Sequence, residues 1–125
     1  MIKKKVLIVD DFENTRWIVQ QILQKEEELE LMTAGNGKEA LQFFNGETID
    51  LLITDLNMPE MDGIELVQKV RASDKYRFIP IIMLTTERNP EKKQKALDIK
   101  VTTWIQKPFE QGTFRKIVRK ALRLK

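Results

Sequence analysis

Apolar residues fall in short unbroken runs, each followed by a segment with helical spacing. The runs are Lys5 to Val9, Leu29 to Thr33, Leu51 to Thr54, Ile81 to Leu84 and Thr103 to Gln106. Continuous rather than alternating apolar character predicts strands buried on both faces. Between them, a helix is predicted from Glu13 to Lys25 with Ile18, Val19, Ile22 and Leu23 on one face. A second runs from Lys38 to Phe44, carrying Ala40, Leu41 and Phe44, and a third from Gly63 to Arg71 with Ile64, Val67 and Val70 inward. Asn89 and Pro90 cap and open a fourth. Phe114, Ile117, Val118, Ala121 and Leu122 align on one face of a fifth. Strand–helix alternation with right-handed crossovers gives an α/β fold, a doubly wound parallel sheet covered by helices on both sides.

At 125 residues the chain is expected to form one domain, 1–125, with no output domain after the last helix. No repeat, linker or low-complexity tract interrupts it. Lys3-Lys4-Lys5 precede an apolar stretch too short for an export signal, and no run approaches the about 20 residues of a membrane span. A cytoplasmic location is expected. The chain has no Cys and no His, which removes disulfides, thiolate metal sites and the usual general base. Net charge is +3 but unevenly spread. Met1 to Glu87 holds 10 Lys and Arg against 16 Asp and Glu, whereas Arg88 to Lys125 holds 12 against 3.

The strand ends carry the chemistry. The first run ends on Asp10-Asp11, the third on Asp55, the fourth on Thr85-Thr86 and the fifth on Lys107-Pro108. In a parallel sheet these gather at the carboxyl edge, where open α/β folds keep their sites. Oxygen donors from carboxylates suit Mg²⁺, which keeps several waters beside one or two of them. Asp11 and Asp55 are candidate direct ligands, with Asp10 acting through water. Asp55 is also a candidate nucleophile that carries a phosphoryl group. Lys107 would then supply positive charge and Thr85 a hydroxyl donor.

These residues resemble the receiver domains of two-component response regulators, over essentially the whole chain. Val6-Leu7-Ile8-Val9-Asp10-Asp11, Ala34 to Leu41, Asp55 to Gly63, Thr85 and Lys107-Pro108-Phe109 carry the resemblance. It implies a flavodoxin-like strand order 2-1-3-4-5. It also implies that Asp55 is phosphorylated by a histidine kinase, and that Asp10, Asp11, Asp55 and the Asn57 backbone carbonyl hold one Mg²⁺. Thr85 and Lys107 would contact the phosphoryl group, Trp104 would be the switch aromatic, and Asn57, Thr86 and Glu87 would tune its lifetime. Asp10-Asp11-Phe12, Arg16 and Ile18-Val19 are similar to the stand-alone chemotaxis (CheY-like) members. Such a protein would be a monomeric signalling module rather than an enzyme acting on an external substrate.

Two features depart from the family pattern. Trp104 replaces the usual Tyr or Phe. Lys100-Val101 replaces a Gly-Ala turn, where positive φ would strain a residue other than glycine. For output, the resemblance points to the surface of the fourth helix, fifth strand and fifth helix, here carrying Lys92, Lys95, Trp104, Lys116 and Lys120. A basic surface there favours an acidic partner segment, such as one from a flagellar motor switch component. Neither nucleic-acid binding nor membrane insertion is expected. The alternatives are a phosphorelay intermediate passing phosphate to another protein's histidine, and a Mg²⁺-dependent aspartyl phosphatase. Asn57 stands where such phosphatases place a second aspartate.

Overall fold

The computed structural model describes residues 2–125. Five strands, β1 (Lys4–Val9), β2 (Leu29–Ala34), β3 (Leu51–Thr54), β4 (Ile81–Thr85) and β5 (Thr103–Gln106), alternate with five α-helices. These are α1 (Glu13–Leu23), α2 (Gly37–Leu41), α3 (Gly63–Arg71), α4 (Pro90–Asp98) and α5 (Gln111–Ala121). All strand pairs are parallel, in the order β2-β1-β3-β4-β5. The expected α/β fold and strand order are both present.

Every residue of β3 and β4 is buried, as unbroken apolar runs require of central strands. On one face Val6, Ile8, Leu51, Ile53, Ile82 and Leu84 pack against Val19, Ile22 and Leu23 of α1, Phe114 and Val118 of α5, and Leu122 just after it. On the other, Leu7, Val9, Leu52, Ile81 and Met83 meet Ala40, Leu66, Val67, Val70 and Ala96 from α2, α3 and α4. Side chains alternate across a strand, so each strand feeds both cores. Among the described residues, no helix is long and apolar enough to cross a membrane.

Helix starts follow local chemistry. Asn36, Asp62, Asn89 and Glu110 each accept backbone N–H groups from the first turn of the helix they precede. Each such cap contributes about 1 kcal/mol. Three helical details differ from expectation. Helix α2 stops at Leu41 instead of Phe44, because Phe43 and Phe44 donate to carbonyls three residues back and tighten the chain into a turn. That turn sets the Phe44 ring edge-on to buried Tyr76 at 4.9 Å. Ile18 is 46% exposed, leaving Val19, Ile22 and Leu23 as the buried stripe of α1. In α3, Leu66 is fully buried while Ile64 packs only at the margin.

Lys100 adopts φ +69°, the left-handed conformation expected of the Lys100-Val101 turn. Such a residue costs roughly 1–2 kcal/mol relative to a relaxed backbone. Arg71 helps to hold the turn, donating from Nη2 to the Lys100 carbonyl (2.8 Å) and from Nη1 to that of Ile79 (2.5 Å). Lys100→Gly is expected to raise stability by about 0.5–1 kcal/mol, net of the entropy glycine adds to the unfolded chain. Urea unfolding measures it; a lower midpoint would show that the arginine bridge already removes the strain.

Candidate functional site

The parallel sheet brings the strand-end residues to one edge. Asp10 follows β1 and Asp55 follows β3, and register pairs the preceding Val9 with Thr54. One carboxylate oxygen from each of Asp10, Asp11 and Asp55 lies within 4.8 Å of the others. Asp10 and Asp55 are buried. Packing presses the α3 start against this cluster: a Cβ on Gly63 would sit 2.2 Å from the Asp55 carbonyl oxygen, so only glycine fits. The Gly63 N–H donates to the Leu56 carbonyl at 2.7 Å, closing the loop from Asp55 to α3.

Each aspartate is held differently. Asp10 Oδ1 accepts the Phe12 N–H at 2.9 Å, and its Oδ2 accepts from Lys107 Nζ at 2.8 Å. Burial pushes the Asp10 carboxyl above its ordinary value, and these hydrogen bonds pull against that rise. Asp55 Oδ1 accepts the Leu56 N–H at 2.6 Å, while its Oδ2 lies 3.6 Å from Lys107 Nζ. Asp11 Oδ1 is buried without a hydrogen-bond partner. Burying a carboxylate oxygen without a hydrogen bond beside two others is costly, and a cation there offsets that cost. The donor set therefore fits a hard divalent ion with oxygen ligands.

Lys107 sits closer to Asp10 than to Asp55, so its position here is an ion pair with a predicted metal residue rather than a contact poised at Asp55. Thr85 is fully buried and its Oγ1 accepts the Glu87 N–H at 3.1 Å. Thr85 pairs in register with Gln106, and Met83 with Trp104, so Thr85 and Trp104 share one sheet face. Trp104 is half-buried at the margin of the α3–α4 core. Thr86 is exposed, and its carbonyl accepts from the Gln106 side chain.

Glu87 has more partners than its sequence context suggests. Oε1 accepts from Asn57 Nδ2 at 3.2 Å and Lys92 Nζ at 3.0 Å, and Oε2 accepts the Arg88 and Asn89 N–H groups at 3.1 Å each. The Lys92 ammonium first, then these N–H donors, hold its carboxyl down to about 2. Arg16 is a further contributor: Nη1 donates to the Asp10 carbonyl at 2.7 Å, fixing the backbone between the two aspartates. Its first-turn position in the helix after Asp10-Asp11 was the only sequence signal for that role.

The basic carboxyl-terminal third is more neutralised than its composition implies. Lys92 is paired with Glu87, Lys107 with Asp10, and Arg119 with Glu26 and Glu28. Lys95, Lys116 and Lys120 are exposed. Of the residues predicted for the partner surface, Lys92 is thus tied to the site loop, and Lys120 lines a groove at the opposite sheet edge.

Residues 6–119 match the response regulator receiver domain. The chain belongs to that family. The receiver is 43% identical over 106 residues to a chemotaxis protein CheY homologue of Campylobacter jejuni, an alignment covering 84% of this chain and 82% of the relative. Its fold superposes on Vibrio cholerae chemotaxis protein CheY4 with a TM-score of 0.87 and 42% identity, covering 95% of this chain and 98% of that one. A TM-score of 0.82 at 31% identity relates it to the Thermotoga maritima response regulator TrrA in complex with Mg²⁺ and BeF, covering 94% and 98%. As a receiver of the CheY type, it is a signalling module by family.

The Lys107 ammonium competes with any cation for Asp10, so Lys107→Ala should bind Mg²⁺ about tenfold more tightly once that like charge is gone. Calorimetric titration with MgCl₂ measures this. A loss of Mg²⁺ binding would mean that the lysine holds the carboxylates in place.

Proposed function

We propose that this receiver is a phosphorylation-driven switch, with Asp55 as acceptor, a histidine kinase as donor and Mg²⁺ as cofactor. The orphaned Asp11 oxygen beside buried Asp55 and Asp10 is the observation that carries the reading. An Asp55 oxygen attacks the phosphorus of a phosphohistidine; the O–P bond forms as the N–P bond breaks, and the imidazole leaves with the pair. Asp10, Asp11, Asp55 and the Asn57 carbonyl would hold Mg²⁺, which supplies charge neutralisation for the transferring group.

The chain's own groups do the rest. Lys107 already lies 3.6 Å from Asp55, and swinging from Asp10 to a phosphoryl oxygen requires only a small side-chain movement. Thr85 would exchange the Glu87 N–H for a phosphoryl oxygen, turning its hydroxyl from acceptor to donor. That exchange loosens the β4–α4 loop beside Trp104, changing the α4–β5–α5 surface on which the output partner docks. Asn57 and Glu87, joined across the mouth of the site, and exposed Thr86 would set how readily water reaches the phosphoryl group. A cytoplasmic setting goes with this reading, because a histidine kinase draws its phosphoryl group from ATP there. Chemotaxis and flagellar motor control are the setting that the CheY relatives suggest; the phosphorelay alternative uses the same acceptor chemistry.

After incubation with acetyl phosphate and Mg²⁺, intact-mass spectrometry should show one phosphoryl adduct. Asp55→Asn and metal removal should each abolish it; an adduct surviving in Asp55→Asn would identify a different acceptor.

Output is tested separately. With Asp55 in its BeF-modified form, an acidic amphipathic peptide should associate more slowly as salt rises, because rim charges are screened over about 8 Å at physiological ionic strength. Lys95→Glu with Lys116→Glu should cut its association rate severalfold while leaving phosphorylation unchanged. Stopped-flow tryptophan fluorescence in a Trp17→Phe background, where Trp104 is the remaining indole, reads the rate, and indifference to both salt and charge reversal would remove α4–β5–α5 as the acidic-partner surface.

A further inference from the structure

Phe78 is 89% exposed, the largest exposure of any aromatic side chain among the described residues. It precedes β4, at the sheet edge opposite the carboxylates. A groove of about 850 Å³ opens on one side of it, with Ile49, Ile79, Ala121 and Leu122 contributing apolar surface. Lys4, Lys120 and Arg123 also line this groove, and all are exposed. On its other side a second groove, about 490 Å³, is lined by Arg71, Arg77, Lys100 and Ile99.

The charge here is one-sided. The acid lining these two grooves is Asp50, whose Oδ2 is engaged by the Lys5 N–H at 2.7 Å. Arg71 is committed to backbone carbonyls and Arg77 to Asp74. Lys4, Lys100, Lys120 and Arg123 have no ion-pair partner among the described residues. The walls are fixed: Thr102 N–H donates to the Ile81 carbonyl at 2.8 Å, and Ile81 N–H donates to Thr102 Oγ1 at 2.9 Å. An exposed ring over aliphatic surface, rimmed by unpaired cations, matches an apolar anchor flanked by carboxylates. Single-stranded nucleic acid fits less well, since successive bases stack on several aromatic rings and Phe78 stands alone here.

We propose that this edge docks a short acidic, amphipathic segment of a partner protein, whatever the phosphorylation state of Asp55. An apolar side chain of the segment seats beside Phe78, and its carboxylates lie among Lys4, Lys100, Lys120 and Arg123. The surface is separate from α4–β5–α5 in its anchor, and its occupancy does not depend on Thr85.

The probe is a soluble synthetic peptide of glutamates interspersed with leucines, titrated into the ¹⁵N-labelled full chain. Amide shifts should centre on Phe78, Ile79, Thr102, Leu122 and Arg123, with equal affinity in the unmodified chain and in its BeF-modified form. Phe78→Ala should weaken binding about tenfold or more, as loss of a central aromatic anchor does. Arg123→Glu should weaken it severalfold and flatten its salt dependence. Both side chains are exposed, and a thermal melt of each variant checks its fold. Shifts centred on Lys95, Trp104 and Lys116 instead would overturn the proposal, as would equal binding of a lysine–leucine peptide. Preferential binding of a single-stranded oligonucleotide, or self-association through Phe78, would overturn it too by naming a different occupant.

Discussion

Three carboxylates within 4.8 Å of one another repel, and the fold must offset that repulsion before the site can exist. The ammonium of Lys107 does this from the end of β5, three strands along the sheet from β1, reaching Asp10 at 2.8 Å across 97 residues of sequence. A buried charge left without a partner costs several kcal/mol, so β5 must end where its lysine meets β1's aspartate. Both Asp10 oxygens already accept hydrogen bonds, from Phe12 and Lys107, whereas Asp11 Oδ1 has no partner among the described residues. Charge balance without metal and readiness for metal are therefore divided between neighbouring aspartates.

The strand assignments and the carboxylate edge were legible because each rests on a one-dimensional signal, whereas the sheet order came from the family resemblance. An apolar run makes a strand, and the polar residue that ends it is carried to a common edge by parallel topology. Features that depend on rotation about a helix axis were less legible. Ile18 and Val19 are adjacent in sequence, yet only Val19 reaches the core, because α1 is rolled toward α5 and that choice is made by the partner helix. Ile64 and Leu66 trade places for the same reason. Contacts between loops were not legible at all. Glu87 joins Asn57 to Lys92 because the β3–α3 and β4–α4 loops lie side by side above adjacent strands, a proximity that spacing alone does not reveal.

That loop contact gives the site a mechanical exit. The Thr85 hydroxyl, the Glu87 carboxylate and the Asn89 cap form consecutive links from β4 into the first turn of α4. Helix α4 contributes only Ala96 to the buried core, so it is the helix least anchored by packing. A change in what Thr85 bonds to would thus reach an element held by its amino-terminal hydrogen bonds. Elements with few buried apolar contacts are those that shift at low free-energy cost.

Helix polarity explains why acid collects at one edge of the sheet and base at the other. Every helix begins at the carboxyl edge of the strands, so its positive dipole end faces the aspartates and favours anionic charge there. Asp62 and Glu110 cap helices on this edge. The negative ends point to the opposite edge, where Lys69 and Arg71 close α3 and Arg119 and Lys120 close α5. The segregation is partial: Lys92 and Lys107 pair with Glu87 and Asp10 at the carboxyl edge, and Glu26, Glu28 and Asp50, which precede β2 and β3, lie at the opposite one. Lys107 offsets the buried carboxylates, while Lys4, Lys100, Lys120 and Arg123 at the opposite edge have no ion-pair partner among the described residues. On the proposed readings, a partner's carboxylates and a divalent cation would be drawn to opposite edges and would not compete for the same charges.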